Sequence, residues 1–187
     1  MPDYREILDF WFGTGPERGK SHKRWFQKDA AFDAEIAARF TTLYELLAGG
    51  TAWLESAEPC LARIVVLDQF PRQIFRGQPR AFAADPLALQ AAKLAVERGY
   101  DRGMRPVERV FVYLPFEHSE SLADQERSVA LYLPLKDIAE TADTYRYAVA
   151  HRDIIARFGR FPHRNAILGR PSTAEEIEFL KTPGSSF

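Results

Sequence analysis

The chain has 187 residues, with 25 Lys and Arg against 26 Asp and Glu, a net charge of −1 and 46% hydrophobic residues. This suits one folded domain over residues 1–187 and argues against disorder; the charge balance offers no basic patch for nucleic acid. A single cysteine, Cys60, excludes an internal disulfide and a cysteine-based zinc site, and no apolar run approaches the ~20 residues that span a bilayer, so a reducing, cytoplasmic setting is expected.

Asp3 can cap a helix over 3–12, with Glu6 closing a capping box and Gly13-Thr14-Gly15-Pro16 ending it. The basic stretch 16–23 reads as a surface loop. From Asp29, Phe32, Ile36, Phe40, Leu43 and Leu47 recur at helical spacing until Gly49-Gly50. Glu58 and Pro59 open a helix to residue 70 that buries Leu61, Ile64, Val65, Leu67 and Phe70. Pro71 is expected to break it, leaving a short turn with Arg72, Phe75 and Arg76. Asp85-Pro86 reads as the N-cap and first residue of a helix ending at Gly99, with Leu87, Ala91 and Leu94 facing in.

Pro106 begins a short helix through Leu114, and Pro115 interrupts it. A helix over 116–133 follows, on an apolar stripe of Leu122, Val129 and Leu133. Another occupies about 141–158 and stops at Gly159. Ser172 or Thr173, with Glu175 and Glu176, caps a last helix around 173–181, and the tail 182–187 is expected to fray. No segment alternates with period two. The sum is an all-α chain of about eight helices in antiparallel pairs, a tetratricopeptide-like superhelix or bundle without a legible repeat period.

Polar residues interrupt these faces. His118 would sit at the N-terminal end of 116–133, where the helix dipole lowers an imidazole pKa and Glu117 and Glu120 oppose it. Asp124 lies on the adjoining polar face. On 141–158, His151 shares a face with Tyr147, Ile154 and Phe158, and Arg152 shares one with Ala148 and Ile155. Burying an unpartnered polar group costs roughly 2–7 kcal/mol, and more for a charge, so carboxylates of 116–133 are expected as partners. The loop from Phe158 to Asn165 sets His163, Arg164 and Asn165 among aromatic anchors. Arg72 and Arg76, one turn apart, can grip a phosphate or carboxylate, and Asp68 can pair with Arg72.

Blander readings stand beside these: satisfied core histidines for His118 and His151, ordinary ion pairs for Arg72 and Arg76, and a solvated helix face for Asp124. HExxH, Walker, GxGxxG and GxSxG motifs are absent, and His151-Arg152-Asp153 lies mid-helix without the glycine-rich loop of a kinase. A zinc site would need His118, His151 and His163 to converge with a carboxylate. No metal or cofactor is implied.

Asp68-Gln69-Phe70-Pro71-Arg72 with Phe75-Arg76-Gly77, the run Tyr113 to Glu120, Asp124 to Ser128, and His151-Arg152-Asp153 on to Asn165 together resemble domain of unknown function 924. Asp9 to Phe12, with Lys23, Trp25 and Phe26, agree; Gln73 and Glu117 depart, where Asn and Met are common in relatives. The resemblance spans nearly the whole chain and implies an all-helical, tetratricopeptide-like fold and no established activity.

The residues themselves point to a concave pocket for a small anionic ligand. Arg72, Arg76, Arg152, Arg164 and His163 would supply charge and Asn165 hydrogen bonds, with His118 on the lining and His151 and Asp124 or Glu120 at the floor. If the protein is an enzyme, His151 or His163 would be the general acid–base, acting with Asp124 in a hydrolase or lyase reaction. The alternative is a non-enzymatic module that holds a peptide in its groove.

Overall fold

The computed structural model describes residues 3–186; Met1, Pro2 and Phe187, the ends of the expected domain and tail, lie outside the described residues. The α-helical segments run α1 Tyr4–Phe12, α2 Ala30–Ala48, α3 Ala57–Ile64, α4 Phe70–Ile74, α5 Asp85–Glu97, α6 Pro106–Glu117, α7 Leu122–Tyr132, α8 Thr144–Phe158 and α9 Ala174–Phe179. No strand occurs among the described residues, so the fold is all-α.

Pro71 does not end its helix. Its ring would strike the carbonyl four residues back, and the chain answers by widening into a π turn over Val65–Gln69, with Phe70 N–H donating to Val65 O. The turn joins α3 to α4 as one rod, so the nine segments make the eight rods expected. It also keeps all five of its residues buried, Asp68 and Gln69 included. Pro115 likewise lies inside α6, near its end, so the helix expected over 116–133 starts later, as α7 at Leu122, and its first two residues belong to α6. The break falls at residues 118–121, between α6 and α7.

Helix ends follow their side chains. Asp3 accepts from Arg5 N–H, but Glu6 reaches Arg39 on α2 instead of closing a capping box. Asp29 caps two amides of α2. Ala84, not Asp85, is the N-cap of α5. Thr173 and Glu176 form the reciprocal capping box of α9. The tail is held as far as Ser185, which is buried and donates to Leu180 O.

One apolar cluster takes Ile7, Leu8, Trp11 and Phe12 of α1 against Phe32, Phe40, Phe70 and Phe111. α3 packs on α1 and α5, and from α5 onward α5–α6, α6–α7 and α7–α8 pack in chain order. The buried face of α5 is Ala88, Ala91, Ala92 and Ala95, with Leu87 and Leu94 only partly covered. These small side chains allow a close approach, and Cys60 of α3 hydrogen-bonds Ala91 O.

The stripe foreseen on α7 is wrong in phase. Leu122 and Leu133 are exposed, and Gln125, Ser128 and Tyr132 face in. Hydrogen bonding permits it: Gln125 Nε2 donates to Glu117 O at 2.6 Å and Ser119 O at 2.7 Å, and Tyr132 hydroxyl to Val110 O at 3.0 Å. A separate small cluster of Ile154, Ile155 and Phe161, with Phe158 and Phe179, seats the segment after α8.

Candidate functional site

The π turn aims the Asp68 carboxylate inward, where it accepts from His118 Nδ1 at 2.7 Å and Gln69 Nε2 at 2.5 Å. Arg72, one turn on, donates to Asp68 O at 2.6 Å and forks onto Asp85 at 2.9 and 3.1 Å. Its guanidinium stands 3.9 Å from the Asp68 carboxylate, so the foreseen Asp68–Arg72 pair is the weaker of its two contacts. Burial alone would raise the Asp68 carboxyl; His118, Arg72 and the hydrogen bonds outweigh it and hold it at about 2.

His118 caps the C-terminus of α6, not the N-terminus of a later helix. Its pKa is nonetheless lowered, by burial and then by Arg72, against the pull of Asp68 and Asp85. The imidazole is thus neutral at pH 7. Nδ1–H donates to Asp68, and Nε2 keeps a lone pair with no hydrogen-bond partner among the described residues.

The ring lines a cleft of about 380 Å³ between the start of α5, the end of α6 and residues 164–168. Asp85, Ser119, Glu120 and Arg164 supply its other polar surface, and Phe82, Pro86, Leu89 and Leu168 part of its apolar wall. Arg164 is only 7% exposed. It lies 4.8 Å over the Phe82 ring and 4.6 Å over Phe161. Its Nη1 has one long contact, 3.5 Å to the Asp85 oxygen already held by Arg72, and its Nε has no acceptor. Burial first, then Arg72, lowers its pKa to about 10.

His151 and His163 stand close by, whereas His22 lies apart, against Trp25. His151 ring contacts Phe161 at 5.6 Å, and Phe161 contacts His163 at 5.5 Å. His151 Nδ1 is 2.8 Å from Tyr147 O, which can only accept, so Nδ1 carries the proton and leans toward Glu117 Oε1 at 3.2 Å. Burial holds His151 at about 3 and lifts Glu117 to about 8, with the Asp68 charge adding to the second shift. With both groups neutral at pH 7, their 3.2 Å approach is not the ion pair its distance suggests. His163 is lowered to about 4 by burial and Arg164.

Other expected members lie elsewhere. Arg76 forks onto Asp33 of α2 at 2.8 Å for both bonds, so it shares no anion with Arg72. Arg152 turns outward to Asp153 at 2.6 Å. Asp124 accepts from Ser119 at 2.9 Å and pairs with Lys93 at 2.6 Å, apart from His151 and His163. Glu120 takes a fork from Arg170 at 2.7 and 2.9 Å and the Phe161 amide at 2.8 Å. Asn165, fully buried, bonds Ser172, Glu176 and Arg170. These two hold the 159–173 segment in shape.

Asp85 and Arg170 were not foreseen as members. Asp68 in the role of partner to His118 had a visible signal, a lone acid within the apolar run Ile64 to Phe70. Among the described residues no group of three His, Cys, Asp or Glu could hold a metal ion, and no helix is long and apolar enough to cross a membrane.

These features define an all-helical protein with an aspartate-backed imidazole and a buried guanidinium on one cleft. The chain belongs to a family of bacterial proteins of unknown function, DUF924, whose model matches residues 7–184. It is similar to the solved structure of a protein of unknown function from Agrobacterium tumefaciens, with 44% identity, a TM-score of 0.81, and 95% of this chain and 96% of that one covered. No curated protein matches it.

Proposed function

We propose that the chain binds a small organic anion in the His118–Arg164 cleft, with Asp68-backed His118 as the acid–base group of a hydrolase or lyase reaction. The observation that carries this is Arg164: a guanidinium 7% exposed, on the cleft wall, with one 3.5 Å contact. A buried charge left short of acceptors costs several kcal/mol on the order of an unpaired ion, so the position is explained by an acceptor that arrives with the ligand. Asp68 fixes the His118 tautomer that presents a basic Nε2 to the same space. His118 takes the role expected of His151 or His163, because Asp68 orients it and its ring lines the cleft.

A volume of about 380 Å³ falls in the range of small-molecule sites, which favours a metabolite over the peptide of a tetratricopeptide-like groove. The test is native mass spectrometry of the purified chain beside Arg164→Gln, with melting curves in phosphate, sulfate, acetate and benzoate. A small anion carried by the wild type and lost in the variant is expected, or a melting shift confined to the wild type. A wild type that carries nothing and responds to none of the four salts would overturn the reading.

A further inference from the structure

Resting on that anion site, the geometry points to its ligand class: a monocarboxylic acid with a short apolar tail, its carboxylate on Arg164 and its tail along Phe82, Leu89 and Leu168. Three observations narrow the choice.

The first is charge. Arg72 and Arg164 face Asp68 and Asp85, and Glu120 is engaged by Arg170. The nearby titratable groups Glu117, His118, His151 and His163 are neutral at pH 7. The arginine and carboxylate charges balance, so a monoanion adds one uncompensated negative charge and a dianion two. Asp85 and Glu120, both on its lining, would repel a second negative charge such as a phosphate monoester brings.

The second is the shape of the donor. Arg164 is fixed between two aromatic rings, so its planar fork is already oriented before a ligand arrives. A flat carboxylate matches a planar fork with two parallel bonds.

The third is the wall. Phe82, Pro86, Leu89, Pro115 and Leu168 all line the cleft. Inorganic anions would leave this surface wetted, whereas an alkyl chain removes it from water. His118 Nε2 then faces the body of the ligand, not its charged end.

The experiment is calorimetric titration of the full chain with hexanoate, acetate, inorganic phosphate and 1-hexanol at one ionic strength. Hexanoate is expected to bind roughly tenfold or more tighter than acetate, from the extra apolar burial, and 1-hexanol and phosphate not measurably. Arg164→Gln should weaken hexanoate roughly 10- to 100-fold. Leu168→Glu sets a like charge on the wall and should weaken it too, which keeps the test decisive if the first variant does not fold.

Phosphate binding without hexanoate would overturn the carboxylate class and leave the anion site standing. Equal binding of 1-hexanol and hexanoate would overturn charge recognition. Hexanoate binding unchanged in both variants, or no binding of any probe, would overturn both the class and the site.

Discussion

Glu117 is a buried acid under strong electrostatic tension near the cleft. It is 4% exposed, its carboxyl is raised to about 8, and its close neighbour His151 is held at about 3. The folded chain therefore keeps a proton on Glu117 that the unfolded chain releases near 4.5. Stability from this residue is lost as pH rises from 4.5 toward 8 and changes no further above that. His151 acts at the other end: the unfolded imidazole takes a proton below 6.5 and the folded one refuses it until about 3, so stability falls as pH drops through that window. Between 4.5 and 6.5 the two slopes oppose each other. Glu117→Gln keeps the shape and deletes only the first slope. Urea unfolding should show the variant gaining on the wild type by about 1–3 kcal/mol between pH 5 and pH 8. Curves that stay parallel over that interval would mean Glu117 titrates normally. None of this was legible from residue order, because a carboxylate beside a histidine reads as an ion pair until burial is known.

Among the elements, periodicity identified the helices whose faces are apolar and failed where polar groups face in. Phe32, Ile36, Phe40, Leu43 and Leu47 of α2 are all buried as their spacing requires. On α7 the same rule selected Leu122, Val129 and Leu133, whereas the chain buries Gln125, Ser128 and Tyr132. Gln125 explains the inversion, since its amide satisfies the carbonyls of Glu117 and Ser119 where α6 ends and no helical donor remains. Prolines misled in the same way. By sequence Pro71 and Pro115 each predict a break, but a π turn absorbs the first and the last turn of α6 holds the second. Both distortions lie under the site: one aims Asp68 and the other ends at His118. Gln125→Leu keeps the size, restores the apolar stripe and strands two carbonyls. It should cost about 2–4 kcal/mol in urea unfolding despite its greater hydrophobicity. A neutral or stabilising result would show that water replaces the amide at the junction.

For the whole molecule, the cleft is a seam between the main apolar cluster and the smaller cluster of Ile154, Ile155 and Phe161. Arg164 belongs to the segment after α8, and Asp68, Asp85 and His118 to the main body. The sequence named His118, Arg72 and Arg164 as candidates but gave no means of knowing that they meet, since contacts across 50 to 79 residues leave no local period. Polar bonds hold the smaller segment together, Arg160 on Glu176, Asn165 on Glu176 and Arg170 on Asn165, and Arg170 on Glu120 ties it to the main body. Glu120 is the only one of these side chains contributed by the main body, and it holds both Arg170 and the Phe161 amide. Removing it should release the segment without unfolding the rest. For Glu120→Gln, amide exchange over residues 161–173 should accelerate about 10- to 100-fold, as expected for losing charge-assisted bonds worth about 1.5–3 kcal/mol. Exchange in the buried amides of α2 and α3 should be nearly unchanged. The same variant should weaken any ligand that needs Arg164, because the guanidinium is placed by this segment and not by its own ion pair. Acceleration spread evenly over all helices would instead show that the seam and the main body unfold as one unit.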